Sequence, residues 1–172
     1  MMRLLAMMLM LFGIWGCDTG PRSQPVPDPV ALKEDLIGAN RILTDSERED
    51  IRHLLTRKQW NMDSTGTGLR YSIYRKGEGP RVETGKVVTL AYETSLITGK
   101  VCYTSAQKGP KTFTVGKGGV ESGLEEAVLL MRQGDRARLV LPSHLAHGLP
   151  GDGDCIPRRA VVIYDIEITS VR

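Results

Sequence analysis

Aromatic side chains are scarce in this chain: two Phe, two Trp and five Tyr among 172 residues. Little ring surface is therefore on hand for an apolar binding site, since one such ring buries roughly 150–250 Å². Charge of one sign is also lacking. Lys and Arg number 23 against 20 Asp and Glu, with no long basic run, so nothing demands a nucleic-acid partner. No apolar stretch is long enough for a permanent membrane span, because the longest, Leu4 to Trp15, falls well short of one. Cysteine is limited to Cys17, Cys102 and Cys155. What remains is ordinary for a soluble globular protein, 41% hydrophobic and 25% charged, with length for one domain plus extras.

The short apolar run has a use of its own. It follows a basic start at Arg3 and fits the core of a secretory signal. The tail "IWGC" resembles a bacterial lipobox, with Trp15 bulky for its variable position. Residues 1–16 are read as a lipoprotein signal peptide and Cys17 as the lipidated residue, leaving the rest anchored to a membrane surface outside the cytoplasm. Residues 17–29 hold four prolines among polar residues and read as a flexible tether. Residues 30–60 read as two short helices. The second starts at a capping box, Thr44 with Glu47, and puts Ile51, Leu54 and Leu55 on one stripe that packs on the main domain or on a second copy.

From residue 61 the texture changes. "LRYSIYR", "VVTLAYETSLI", "ARLVLP" and "VVIYDIEITSV" alternate as half-buried antiparallel strands do. Among them lies one helix, opened by a second capping box, Ser122 with Glu125. Its stripe is Leu124, Ala127, Val128 and Met131, and Gly134 ends it. The pattern implies an α+β domain, a curved antiparallel sheet on a short helix. The stretch "PSHLAHGLPGDGDCIP", 142–157, collects His144, His147, Asp152, Asp154 and Cys155, which invites a metal. The spacing fits no closed zinc pattern, and "GDGD" lacks the later bidentate glutamate of a calcium loop. The expectation is no metal and no cofactor.

"VGKGGVESGLEEAVLLMRQGDRARLVLPSHLAHG" followed by "CIPRRAVVIYDIEI" resembles the second half of an FKBP-type peptidyl-prolyl isomerase domain, and "TLAYETSLITGKVCYTS" its earlier tyrosine strand. The lipobox, tether and helices are also similar to bacterial isomerase lipoproteins, including the gliding-associated group. The resemblance implies a five- to six-stranded sheet wrapped on the 124–133 helix, with residues 61–172 as the isomerase domain and 142–157 as a flap over the pocket. The reaction it implies is rotation about an X–Pro amide, whose barrier is roughly 18–20 kcal/mol. Neither nucleophile nor cofactor is needed.

Carried over position by position, Tyr92, Ile156 and Tyr164 become the catalytic residues. Cys102, Tyr103, Val120, Glu121, Leu124 and His147 line the substrate site. The resemblance gives Ile156 a backbone N–H that meets the substrate carbonyl, and makes Phe113 a core residue. Several positions depart from the family: Cys102 and Tyr103 replace a phenylalanine–aspartate pair, Lys111 a pocket aromatic, Glu121 an aliphatic residue, Leu124 a tryptophan and His147 a tyrosine. Cys102 and Cys155 would flank the pocket mouth. They are either bridged, which needs Cα atoms within about 7 Å, or two free thiols. The expected function is isomerisation of proline-containing exported polypeptides at the cell envelope. The alternatives are a groove-binding chaperone with little turnover, or a structural envelope or motility lipoprotein that dimerises through residues 30–60.

Overall fold

Alternation along the longest strands builds the core. A computed structural model describes residues 28–172, apart from the side chains of Ala31 and Leu32. The signal peptide, the Cys17 lipidation site and the tether as far as residue 27 lie outside the described residues. Two compact units divide the chain, 1–38 and 39–172. Helix α1, Pro29–Lys58, opens the described chain.

The sheet is antiparallel and has seven strands: β1 (Asp63–Ser64), β2 (Arg70–Arg75), β3 (Val87–Leu96), β4 (Val101–Thr104), β5 (Lys111–Thr114), β6 (Arg136–Leu141) and β7 (Val162–Val171). Their order is β1-β2-β6-β7-β3-β4. Strand β5 shares the outer edge of β3 with β4, pairing Val87–Leu90 while β4 pairs Glu93–Ser95. A one-turn helix α2, Ser105–Lys108, links β4 to β5. Because side chains alternate across a strand, β3 sends Val88, Leu90, Tyr92, Thr94 and Leu96 to the buried side. Helix α3, Ser122–Val128, meets that face with Leu124, Ala127, Val128 and, just beyond its end, Met131.

The capping expected of Ser122 is not observed. Glu121 occupies the cap position without a side-chain capping bond, and Ser122 already lies inside the helix. Glu125 instead accepts a hydrogen bond from Gly118 N at 3.0 Å, which fixes the loop before α3.

The two short helices expected over 30–60 are one continuous helix. Thr44 does not break it, since its Oγ1 donates to the Asn40 carbonyl at 2.8 Å one turn back. Glu47 does not cap it either. Its carboxylate accepts from both the backbone N–H and the hydroxyl of Ser143, at the root of the 142–157 loop. Within the second unit, Ile51 and Leu54 pack with Val140, Val161 and Ile163 on the outer face of the sheet, helped by Leu55, Trp60, Met62 and Ile97. Strands β6 and β7 are thus covered on both faces near the loop, which gives it a firm base. Among the described residues no helix is long and apolar enough to cross a membrane.

Candidate functional site

The face of the sheet that meets α3 carries the candidate site. Inward positions of β3 and β7 bring Tyr92 and Tyr164 together, ring centroids 6.2 Å apart and planes tilted by 50°. Leu124 of α3 is fully buried in the same core, which Ile156 reaches from the loop. Val120, Cys102 and Tyr103 are partly buried against that cluster, and Phe113 is a core residue of β5. The residues expected of an apolar groove therefore share one region, although they come from β3, β4, β7, the segment entering α3 and the 142–157 loop.

Into this apolar wall the chain inserts a polar cluster. The Glu121 side chain is only 8% exposed. Its Oε1 accepts the Tyr164 hydroxyl at 2.7 Å. Lys111 Nζ donates to both carboxylate oxygens, at 3.2 and 3.1 Å, and to the Tyr164 hydroxyl at 3.0 Å. His147 Nε2 lies 3.1 Å from Glu121 Oε1. The Lys111 ammonium also sits 5.3 Å from the centroids of both Tyr92 and Tyr164, within cation–π range. A charged residue this deep persists only when paired and hydrogen-bonded, and here three side chains converge on one carboxylate.

The titration shifts follow from that packing. Burial by itself pushes the Glu121 carboxyl up. The Lys111 charge, the residue's own backbone N–H and the hydrogen bonds from Tyr164 and Lys111 together outweigh it, so the net displacement is downward. Burial first, and then the Glu121 charge, hold the Tyr164 phenol far above its ordinary range. The same two causes raise Tyr92.

The 142–157 loop is held at several points. Glu47 grips Ser143 at its root. Cys155 is joined to Cys102 of β4 by a disulfide, Cα to Cα 5.6 Å, so the bridged arrangement is the one adopted. The Tyr103 hydroxyl donates to Asp152 and accepts from Cys155 N at 3.3 Å. The bond to Asp152 is the main reason that the Tyr103 phenol is pushed up to about 12. Gly151 must be glycine: its φ is +72°, and a Cβ there would lie 2.4 Å from the Ile156 carbonyl. Farther along, Arg159 N returns to the Gly148 carbonyl at 3.0 Å.

One expectation about the loop is corrected. The Ile156 N–H, expected to face a substrate carbonyl, donates to Asp152 Oδ1 at 2.8 Å. Asp152 closes a five-residue turn, also donating its own N–H to the Ile156 carbonyl at 3.1 Å. The other side chains of this stretch have separate partners. His144 Nε2 is 3.0 Å from the Thr67 carbonyl, whereas His147 turns to Glu121.

Reading the chain in isolation missed the cluster as a unit. Lys111 and Glu121 each looked like a lost apolar residue. The available signal was that both positions depart from the family together and with opposite charge.

A model of the family described as FKBP-type peptidyl-prolyl cis-trans isomerase matches residues 79–169, more than half of the chain. A probable FKBP-type peptidyl-prolyl cis-trans isomerase FkpA of Neisseria meningitidis serogroup B is 36% identical over 109 residues, covering 63% of this chain but 39% of that protein's length. The crystal structure of AtFKBP13 superposes with a TM-score of 0.63 at 29% identity, over 66% of this chain and all of that one. The crystal structure of FkpA from Escherichia coli gives a TM-score of 0.65 at 23% identity, over 87% of this chain and 75% of that one, a likeness of fold.

Proposed function

Because this chain belongs to the FKBP-type peptidyl-prolyl cis-trans isomerase family, we propose that it catalyses rotation about X–Pro bonds in exported polypeptides, at the cell envelope, anchored by a lipid on Cys17. The observation that carries the reading is one shared cluster. Tyr92, Val120, Leu124, Ile156 and Tyr164 meet between sheet and α3 under a loop pinned by the Cys102–Cys155 bond. A planar amide owes part of its barrier to charge separation by resonance. The twisted amide carries less of it, so a dry wall of this kind favours the twisted form over the planar one.

The decisive measurement is acceleration of cis–trans exchange in a short Leu–Pro peptide by the purified full chain, read by NMR exchange spectroscopy. Exchange at the uncatalysed rate with excess protein removes the proposal. Loss of the acceleration in Tyr92→Ala and Leu124→Ala variants that remain folded supports the assignment of the groove.

A second reading has its own observation. The Lys111–Glu121–Tyr164 cluster reduces the apolar surface open to a proline ring, and the Ile156 N–H is taken by Asp152. Those features favour a groove that holds unfolded chain with slow turnover. Suppressed aggregation of a proline-free client, without acceleration of the peptide, selects this reading. Association of two copies through α1 draws support from Leu36 and Leu43, exposed and seven residues apart on that helix. Sedimentation of the full chain tests it, a monomer at all concentrations being the negative result.

A further inference from the structure

We infer that Glu47, on α1 and outside the polar cluster, is a positioning residue for the proposed isomerisation, fixing through Ser143 the place where His147 meets Glu121. The inference rests on the proposed activity and carries it one step beyond the residues that line the site. Its basis is the way Ser143 spends its polar groups. Ser143 is buried, and its N–H and hydroxyl both donate to the Glu47 carboxylate, one to each oxygen. Its carbonyl accepts twice, from Ala146 N at 3.1 Å and from Gly148 N at 2.8 Å. Those two N–H groups belong to the residues on either side of His147. The backbone that carries the imidazole is therefore tied on both sides to one carbonyl, and the residue that owns this carbonyl is held from α1. Gly148 completes the turn with a φ of +62°, a conformation that glycine adopts freely.

The far end of this path lies in the site. His147 Nε2 is 3.1 Å from Glu121 Oε1, and the same oxygen accepts the Tyr164 hydroxyl. The Glu121 carboxyl is held ionised by its partners. An ionised carboxylate only accepts, so Nε2 carries a hydrogen here whatever the charge of the ring. A buried N–H that loses its acceptor has no water to turn to. Removing the Glu47 carboxylate therefore drives the Ser143 peptide toward a new acceptor, and the backbone of His147 moves with it. Leu54, farther along α1, packs on the outer face of the sheet instead, so it holds the helix without entering this path.

The test is made on the full chain, with NMR reading the His147 imidazole and exchange spectroscopy reading the Leu–Pro peptide. Glu47→Ala is expected to move the His147 ring resonances and to slow peptide exchange roughly tenfold, since a misplacement of about 1 Å can cost on the order of a hundredfold. Glu47→Gln is expected to restore both, because its amide oxygen can accept the Ser143 N–H while its NH2 group donates to the Ser143 hydroxyl. Ser143→Ala keeps the N–H contact alone and should fall between the two. Leu54→Ala weakens the fold from the same helix, and at a temperature where it stays folded it should leave the His147 resonances in place. In a His147→Ala background, Glu47→Ala should slow exchange no further, because both changes act on one path. His147 resonances that stay put in Glu47→Ala, or that move as far in Leu54→Ala, overturn the inference. So does a Glu47→Gln variant that behaves as the alanine variant does, or a Glu47→Ala effect on the rate that is as large without His147 as with it. Exchange at the uncatalysed rate in the wild type removes the isomerase proposal instead, and the His147 resonances of the Glu47 variants then measure this linkage alone.

Discussion

Removing the Cys102–Cys155 bond is expected to cost about 4 kcal/mol of stability. The bond joins residues 53 apart, so it closes a loop that includes β5, α3, β6 and the root of the flap. In the chain-entropy account, such a crosslink lowers the entropy of the unfolded chain by a constant plus 1.5R times the logarithm of loop length. For a loop of this size that amounts to roughly 14 cal/mol/K, or about 4 kcal/mol at 25 °C. For a chain of this length the melting temperature should fall by about 8–16 °C. The comparison is between the oxidised protein and the Cys102→Ser/Cys155→Ser variant, each titrated with urea and followed by circular dichroism. Free energies extrapolated to water must be compared rather than midpoints, because the crosslinked unfolded state is more compact and its urea dependence shallower. A difference below about 1 kcal/mol refutes the entropic reasoning. Hydrogen exchange supplies a second reading. The N–H groups of Ile156, within the flap, and of Arg159, just past it, both donate to flap residues, and should lose more protection than those of β3 or β7 once the bond is gone. A uniform loss across the molecule would mean that the bond stabilises the whole fold without holding the flap.

Other outcomes follow from the same packing. Leu124→Ala, at a fully buried core position, should cost about 2–5 kcal/mol in denaturant titration. Glu121 has a lowered folded-state pKa, so its contribution is present above the ordinary carboxyl value of 4.5 and is lost as pH falls through the lower folded value. Glu121→Gln should accordingly flatten the acid limb of the stability profile, and an unchanged limb would refute its ionised, paired state. Glu47→Ala strips both partners from Ser143, of which the backbone N–H is the buried donor, and should cost about 1–3 kcal/mol with faster exchange at the flap root. Cys17→Ser should release the protein from membranes into the soluble fraction after cell lysis.

Much of the fold is written in local periodicity. The alternation of Val88, Leu90, Tyr92 and Leu96, and the helical spacing of Leu124, Ala127, Val128 and Met131, state which faces are apolar, and these faces meet. What local pattern could not carry was the destination of polar side chains. Thr44 and Glu47 have the spacing of a helix start, and Ser122 and Glu125 repeat it. In the folded chain Glu47 serves Ser143, 96 residues away, and Glu125 serves the Gly118 backbone. The helix continues through Thr44 because nothing between residues 39 and 58 breaks it, there being neither glycine nor proline in that span. The disulfide could not be decided in advance, since a 5.6 Å Cα separation is a property of the fold. The polar cluster is similar. Lys111 and Glu121 read singly as losses of apolar surface, and only their meeting beside Tyr164 turns them into one charged fixture.

A flap gripped at Ser143 by Glu47 and at Cys155 by Cys102 behaves as a doorway with fixed jambs rather than a door. What passes through must already match the width of the opening. A slack, thread-like stretch of polypeptide can feed its proline in from the side, whereas a proline locked in a finished turn would need the frame to give. The proposed isomerase activity is thereby expected on chains caught early, before their own turns have closed.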